Sequence, residues 1–165
     1  MNALLEARTL LRQLGLSGRR FTAEIFLERL DSHLGIVIDA VPDSRLPVGG
    51  ISGACITTNG SHVVFYPAGG SERLQLAVIC HECAHVLLGH RGRSVEDVLT
   101  GADPPSPTDE LDAEALGAAL AHFAERPERW PSRIRGTLPV GATPQASALG
   151  TRLRRYFRPS QRSGA

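Results

Sequence analysis

Leu4, Leu5, Leu11 and Leu14 recur at helical spacing and predict a helix over residues 2–14, with Gly15 as its stop. Thr22 is a capping residue ahead of a second apolar stripe, Ile25, Phe26, Leu27, Leu30 and Leu34, which Gly35 closes. Ile36-Val37-Ile38 is short and β-branched and predicts a strand. Residues 42–50, rich in Pro and Gly, predict a loop. Ile51 to Thr58 predicts a strand, Asn59-Gly60 a tight turn, and His62 to Tyr66 the second arm of a hairpin. Ser71 caps a long helix that runs to about Leu88 and ends at Gly89. The three prolines within 101–107 predict a loop, and Thr108 opens a helix to about Glu125. Beyond Pro127 the pattern is loop-like until a short amphipathic helix from about Ala146 to Phe157. Two helices, a small antiparallel or mixed sheet and further helices make an α+β fold.

The helix from Ser71 differs from the others. Leu74, Leu76, Ala77, Val78, Ile79, Val86, Leu87 and Leu88 surround it nearly all the way round, which predicts a central, buried helix. Its middle reads His81-Glu82-Cys83-Ala84-His85, an H-E-x-x-H motif. At about 100° per residue, His85 lies only about 40° round from His81, so both imidazoles share a face fit for zinc. Glu82 lies at about 100°, beside a metal but not on it, where it can act as general base. A bland alternative, two structural helix histidines, stays open.

A third ligand must come from elsewhere. A metzincin needs Gly and His where this chain has Leu88 and Arg91. His90 lies about 140° from His85 on a continued helix, which makes it a weak candidate. A gluzincin takes a Glu from a following helix. Here Glu110 and Glu114 are four apart and share a face that Gly117 and Ala121 continue. Leu111, Ala115 and Ala118 flank that face and are expected to pack inward, while Asp112 points away. Glu110 is the expected ligand and Glu114 an outer acceptor for a ligand imidazole N–H. An exchange of their roles, or two solvated carboxylates near a helix N-terminus, stays open. The motif overlaps the C-x-x-C of Cys80 and Cys83, but helix geometry points both thiols away from the imidazoles. They, like Cys55, are expected to be core residues.

The 165-residue chain carries 18 basic and 17 acidic residues, and every basic residue is Arg. The near balance hides a split. Residues 1–125 hold 9 Arg against 16 acids, and residues 126–165 hold 9 Arg against Glu128 alone. In the tail helix, Leu149, Leu153, Tyr156 and Phe157 form one stripe opposite Arg154, Arg155 and Arg158. Such a helix suits an anionic partner such as nucleic acid or a membrane surface, or docks on the acidic body. Eight aromatic residues disfavour a base-stacking platform. The sequence has no apolar run of transmembrane length and no signal-peptide pattern, and its three cysteines suit no disulfide scaffold. A cytoplasmic chain with reduced thiols is expected.

The run from about Gly35 to Leu120 resembles the ImmA/IrrE family of small zinc metallopeptidases. The resemblance rests on the strand Gly35-Ile36-Val37-Ile38, the hairpin around Asn59-Gly60, the helix bearing His81-Glu82-Cys83-Ala84-His85-Val86-Leu87-Leu88-Gly89-His90, and Glu110-Leu111-Asp112-Ala113 downstream. It implies a zincin-like domain over residues 1–126, packed on the H-E-x-x-H helix, with 127–165 as an Arg-rich extension. It implies zinc on His81, His85 and Glu110, the last from an E-x-x-A segment, with Glu82 as the catalytic base. It implies cleavage of a cytoplasmic regulatory protein, such as an XRE-type helix-turn-helix repressor, in stress response. Leu116-Gly117 stands where that family usually has Phe-Ala. Tyr66 and His122 are the candidates for stabilising an oxyanion, and the strand His62 to Tyr66, if it is a sheet edge, would hold an extended peptide. The competing expectation is a non-proteolytic metal-binding regulator that engages a partner or DNA with the same fold.

Overall fold

A computed structural model of the chain describes residues 2–127, apart from 47, 49–52, 59, 95–96 and 98–104. The Arg-rich extension from residue 128, with its expected amphipathic helix, lies outside the described residues. Helices α1 (Ala3–Gln13) and α2 (Ala23–Leu34) come first. Strands β1 (Val37–Asp43), β2 (Ala54–Thr58) and β3 (Ser61–Pro67) follow, then helices α3 (Glu72–Leu88) and α4 (Pro107–Glu125). Mixed α+β architecture is therefore observed.

The helix ends lie where capping chemistry puts them. Side chains of Asn2, Thr22, Ser71 and Ser106 each accept a hydrogen bond from an N–H of the first turn they precede. Gly35 and Gly89 close α2 and α3 in the left-handed conformation, at φ of 67° in each case. Pro107 takes the first turn of α4, where its missing N–H leaves no bond unmade, so the helix opens one residue before Thr108.

The sheet is mixed, in the order β1-β3-β2. β1 runs parallel to β3, pairing Val37 with Ser61 through Asp43 with Pro67. β2 and β3 form the antiparallel hairpin. Two expectations change here. β1 continues through Pro42 to Asp43, into the segment read as a loop; β1 is an edge strand, and an edge tolerates a residue with no N–H. More importantly, β3 is the central strand. Both its edges are paired, so it has no free edge to offer a peptide.

The core forms between α1, α2, one sheet face and the two long helices. Phe26, Leu30, Val64, Ile79, Cys80, Cys83 and Leu120 are its most enclosed members. Phe21 stacks on Phe26 with ring centroids 5.8 Å apart. α3 is buried on nearly every side, as the absence of a polar stripe requires. Asp31 Oδ1 accepts the Ile38 N–H at 3.1 Å and ties the end of α2 to β1.

α4 is rolled differently from the expectation. Leu111, Ala115 and Ala118 are exposed, and Ala113, Leu116, Gly117, Leu120 and Ala124 face inward. At about 100° per residue the buried residues, Ala119 and Phe123 included, centre roughly 90° from Glu110, on the Ala113 side. Glu110 therefore stands at the rim of the interface. Glu114, about 40° further out, is left exposed. No described helix is long and apolar enough to cross a membrane.

Candidate metal centre

His81 and His85 project from the C-terminal half of α3 toward the first turn of α4. The Nε2 atoms of the two rings lie 3.3 Å apart. Glu110 reaches both, with Oε2 at 3.5 Å from His81 Nε2 and Oε1 at 3.3 Å from His85 Nε2. The three donor groups converge within 4.8 Å of one another and could hold a metal ion. Two Zn–N bonds of about 2.05 Å at the tetrahedral angle set their nitrogens roughly 3.3 Å apart. The imidazole spacing thus fits a tetrahedral ion. Protonation fits too: burial lowers the pKa of His81, and burial with the neighbouring imidazoles lowers that of His85 to about 4. The rings are held neutral, the form that ligates.

Close helix packing makes this convergence possible. A Cβ on Gly117 would stand 2.7 Å from the His81 Cα and 2.8 Å from its backbone nitrogen. α4 lies directly against the backbone that carries the first imidazole, and Glu110 lies two turns earlier on the same side.

Glu82 is 7% exposed and stands outside the three-residue group. Burial and the charge of Glu110 push its pKa up to about 7, while Arg93 and a hydrogen bond from the Cys55 backbone pull the other way. The Thr57 N–H donates to the Arg93 carbonyl at 3.0 Å, so the outer edge of β2 faces this region. β2, not β3, is the strand edge beside Glu82. Gly53 precedes it closely: a Cβ there would meet Glu82 Oε1 at 2.8 Å and Val78 at 2.6 Å.

The other candidates fall elsewhere. Glu114 is exposed; its charge raises the His81 pKa, but His81 Nδ1 is buried without a hydrogen-bond partner, so the expected outer acceptor contact is not made. Tyr66 packs against the hydrophobic core from β3. His122 stands 12 residues after Glu110, about 18 Å along α4, with its ring edge-on to Phe123. His122 is not a member of the His–Glu group. Cys80 and Cys83 are fully buried free thiols, and burial pushes Cys55 and Cys80 up to about 12. They are inert core residues, as expected.

His90 lies outside the three-residue group, yet its ring sits closer to His85 than a continued helix would put it. Its Nδ1 lies 2.9 Å from His85 Nδ1, and its Nε2 lies 3.6 Å from Asp109 Oδ1. The 140° offset holds only for a continued α3. Instead Gly89 turns left-handed and the His90 N–H returns to the His85 carbonyl at 3.0 Å, which folds the ring back over His85. The Leu88-Gly89-His90 sequence carried that signal as a helix stop followed by a polar residue. A cleft of about 230 Å³ opens beside His90 and Asp109, with Arg93 on its wall.

Comparison with protein families, with curated proteins and with solved structures finds no match to this chain.

Proposed function

We propose that the chain is a zinc-dependent endopeptidase with a zincin-like domain of the ImmA/IrrE type. The observation that carries this reading is the placement of a buried carboxylate, Glu82, beside two neutral imidazoles and Glu110 at tetrahedral spacing. His81, His85 and Glu110 would hold the zinc. When bound, it supplies Lewis acidity toward a peptide carbonyl and an acidified water. Glu82 takes the proton and delivers it to the leaving amine. Its carboxyl, pushed up to about 7 in the metal-free chain, would be drawn down by the charge of a bound zinc toward the ionised form a base needs. A cytoplasmic regulatory protein such as an XRE-type helix-turn-helix repressor is the proposed substrate.

The test is metal analysis of protein purified without chelators, together with cleavage of a helix-turn-helix repressor. About one zinc per chain is expected. His81→Ala loses it, and Glu82→Gln keeps it while losing cleavage. A zinc-free wild-type protein would overturn the reading. A Glu82→Gln variant that retains the biological effect, while His81→Ala loses it, would replace the peptidase by a metal-binding regulator.

A further inference from the structure

Among the described residues, the two imidazoles of the proposed centre are supported unequally. His81 Nδ1 is buried and unpartnered, whereas His85 Nδ1 faces His90 Nδ1 at 2.9 Å. Two facing ring nitrogens at that distance must be one donor and one acceptor. Asp109 favours one of the two arrangements. Its carboxylate stands 3.6 Å from His90 Nε2 and favours a proton there. A neutral His90 with its proton on Nε2 has a lone pair on Nδ1. It then accepts from His85 Nδ1–H, which leaves the His85 Nε2 lone pair free. That lone pair points at the space shared with His81 Nε2 and Glu110. The opposite arrangement would set a lone pair of His90 against the Asp109 carboxylate and a proton in the metal position.

We propose that His90, oriented by Asp109, is a positioning residue that fixes the tautomer and ring direction of His85 for metal binding. This rests on reading His81, His85 and Glu110 as the ligands. The alignment depends on Gly89, because only a chain turned left-handed at that point brings residue 90 back over residue 85. Ligand imidazoles ordinarily donate their second N–H to such an outer acceptor, and loss of the acceptor weakens metal binding about 10–100-fold.

The test uses the full chain and two readouts that need no substrate. Zinc affinity is measured by chelator competition at about pH 8, where free imidazole is neutral. His90→Leu is expected to weaken zinc about 10–100-fold. His90→Asn, whose Oδ1 can stand where Nδ1 stood, is expected to stay much closer to wild type. Asp109→Ala, at a 40% exposed side chain, probes the same link with little threat to folding and is expected to fall between them. Long-range 1H–15N spectra of the metal-free protein read the tautomer itself. Wild type should show His85 protonated on Nδ1, and His90→Leu should move it toward Nε2. Unchanged zinc affinity in both His90→Leu and Asp109→Ala, or an unchanged His85 tautomer, overturns the proposal. Wild-type protein that binds no zinc, or a His81→Ala variant that binds it normally, instead defeats the ligand assignment, and the tautomer spectra still report on His90.

Discussion

Gly117 and the backbone of His81 touch so closely that a Cβ at 117 would stand 2.7 Å from the His81 Cα. The contact sets how near α4 can come to α3, and therefore whether Glu110 reaches the imidazoles. Gly117→Ala must push the helices apart or distort one of them. It should cost about 1–3 kcal/mol of stability, as overpacking in a core does. Zinc affinity should fall with it, because Glu110 and His81 move apart. Denaturant unfolding and chelator competition on the same variant check both effects. A variant as stable as wild type would show that the interface yields elsewhere.

The two glutamates of α4 should separate cleanly. Glu110→Gln removes the carboxylate that lies within 3.5 Å of both Nε2 atoms, and metal binding should fall by at least tenfold. Glu114→Gln alters an exposed side chain with no hydrogen bond to His81 Nδ1 and should change affinity by less than about threefold. Equal losses in the two variants would restore Glu114 as a partner of the centre.

Gly53→Ala tests the base without touching a ligand. The new methyl meets Val78, Glu82 Oε1 and the Phe65 carbonyl below contact distance, so the carboxylate or the β2–β3 backbone beside it must shift. Zinc content should be retained while cleavage drops by at least about tenfold, since a displaced base loses its reach to the proton. Loss of zinc in this variant would mean that the strand and the ligands move together.

The pH dependence of the metal-free chain carries opposed slopes from its buried imidazoles, His85 foremost, and from Glu82. The folded pKa of His85, about 4, lies below its ordinary 6.5, so below pH 6.5 the unfolded chain takes a proton that the folded chain refuses. Stability from this group falls as pH drops from 6.5 toward 4. Glu82 runs the other way, with a folded pKa of about 7 above its ordinary 4.5. Its contribution is full below 4.5 and is lost as pH rises through 7. Between pH 4.5 and 6.5 the two offset each other. Glu82→Gln removes one slope, so the metal-free variant should lose stability more steeply than wild type between pH 7 and 5. Urea titrations at several pH values measure this, and parallel curves would count against a buried, protonated Glu82.

Much of the fold was legible because it depends on local chemistry. Thr22, Ser71, Gly35 and Gly89 marked helix ends where the structure has them. The all-round apolar character of α3 marked a central helix, and the spacing of His81 and His85 marked one face where a metal ion could sit. These properties follow from the 3.6-residue turn and from the orphan groups at helix ends, which any reader of the chain can count.

Nonlocal choices were not legible. Strand order depends on which edges meet in space, and it put β3 in the middle and β2 beside Glu82. The roll of α4 depends on the fit of Gly117 against α3, and it exposed Leu111 and Glu114 while keeping Glu110 at the rim. The return of His90 over His85 depends on a chain reversal that periodicity treats as a simple end. Sequence alone determined which residues could form a metal-ligating group, because residue type and helical spacing are intrinsic to the chain. Only the tertiary structure decided which of them meet, because packing between separate elements sets their distances.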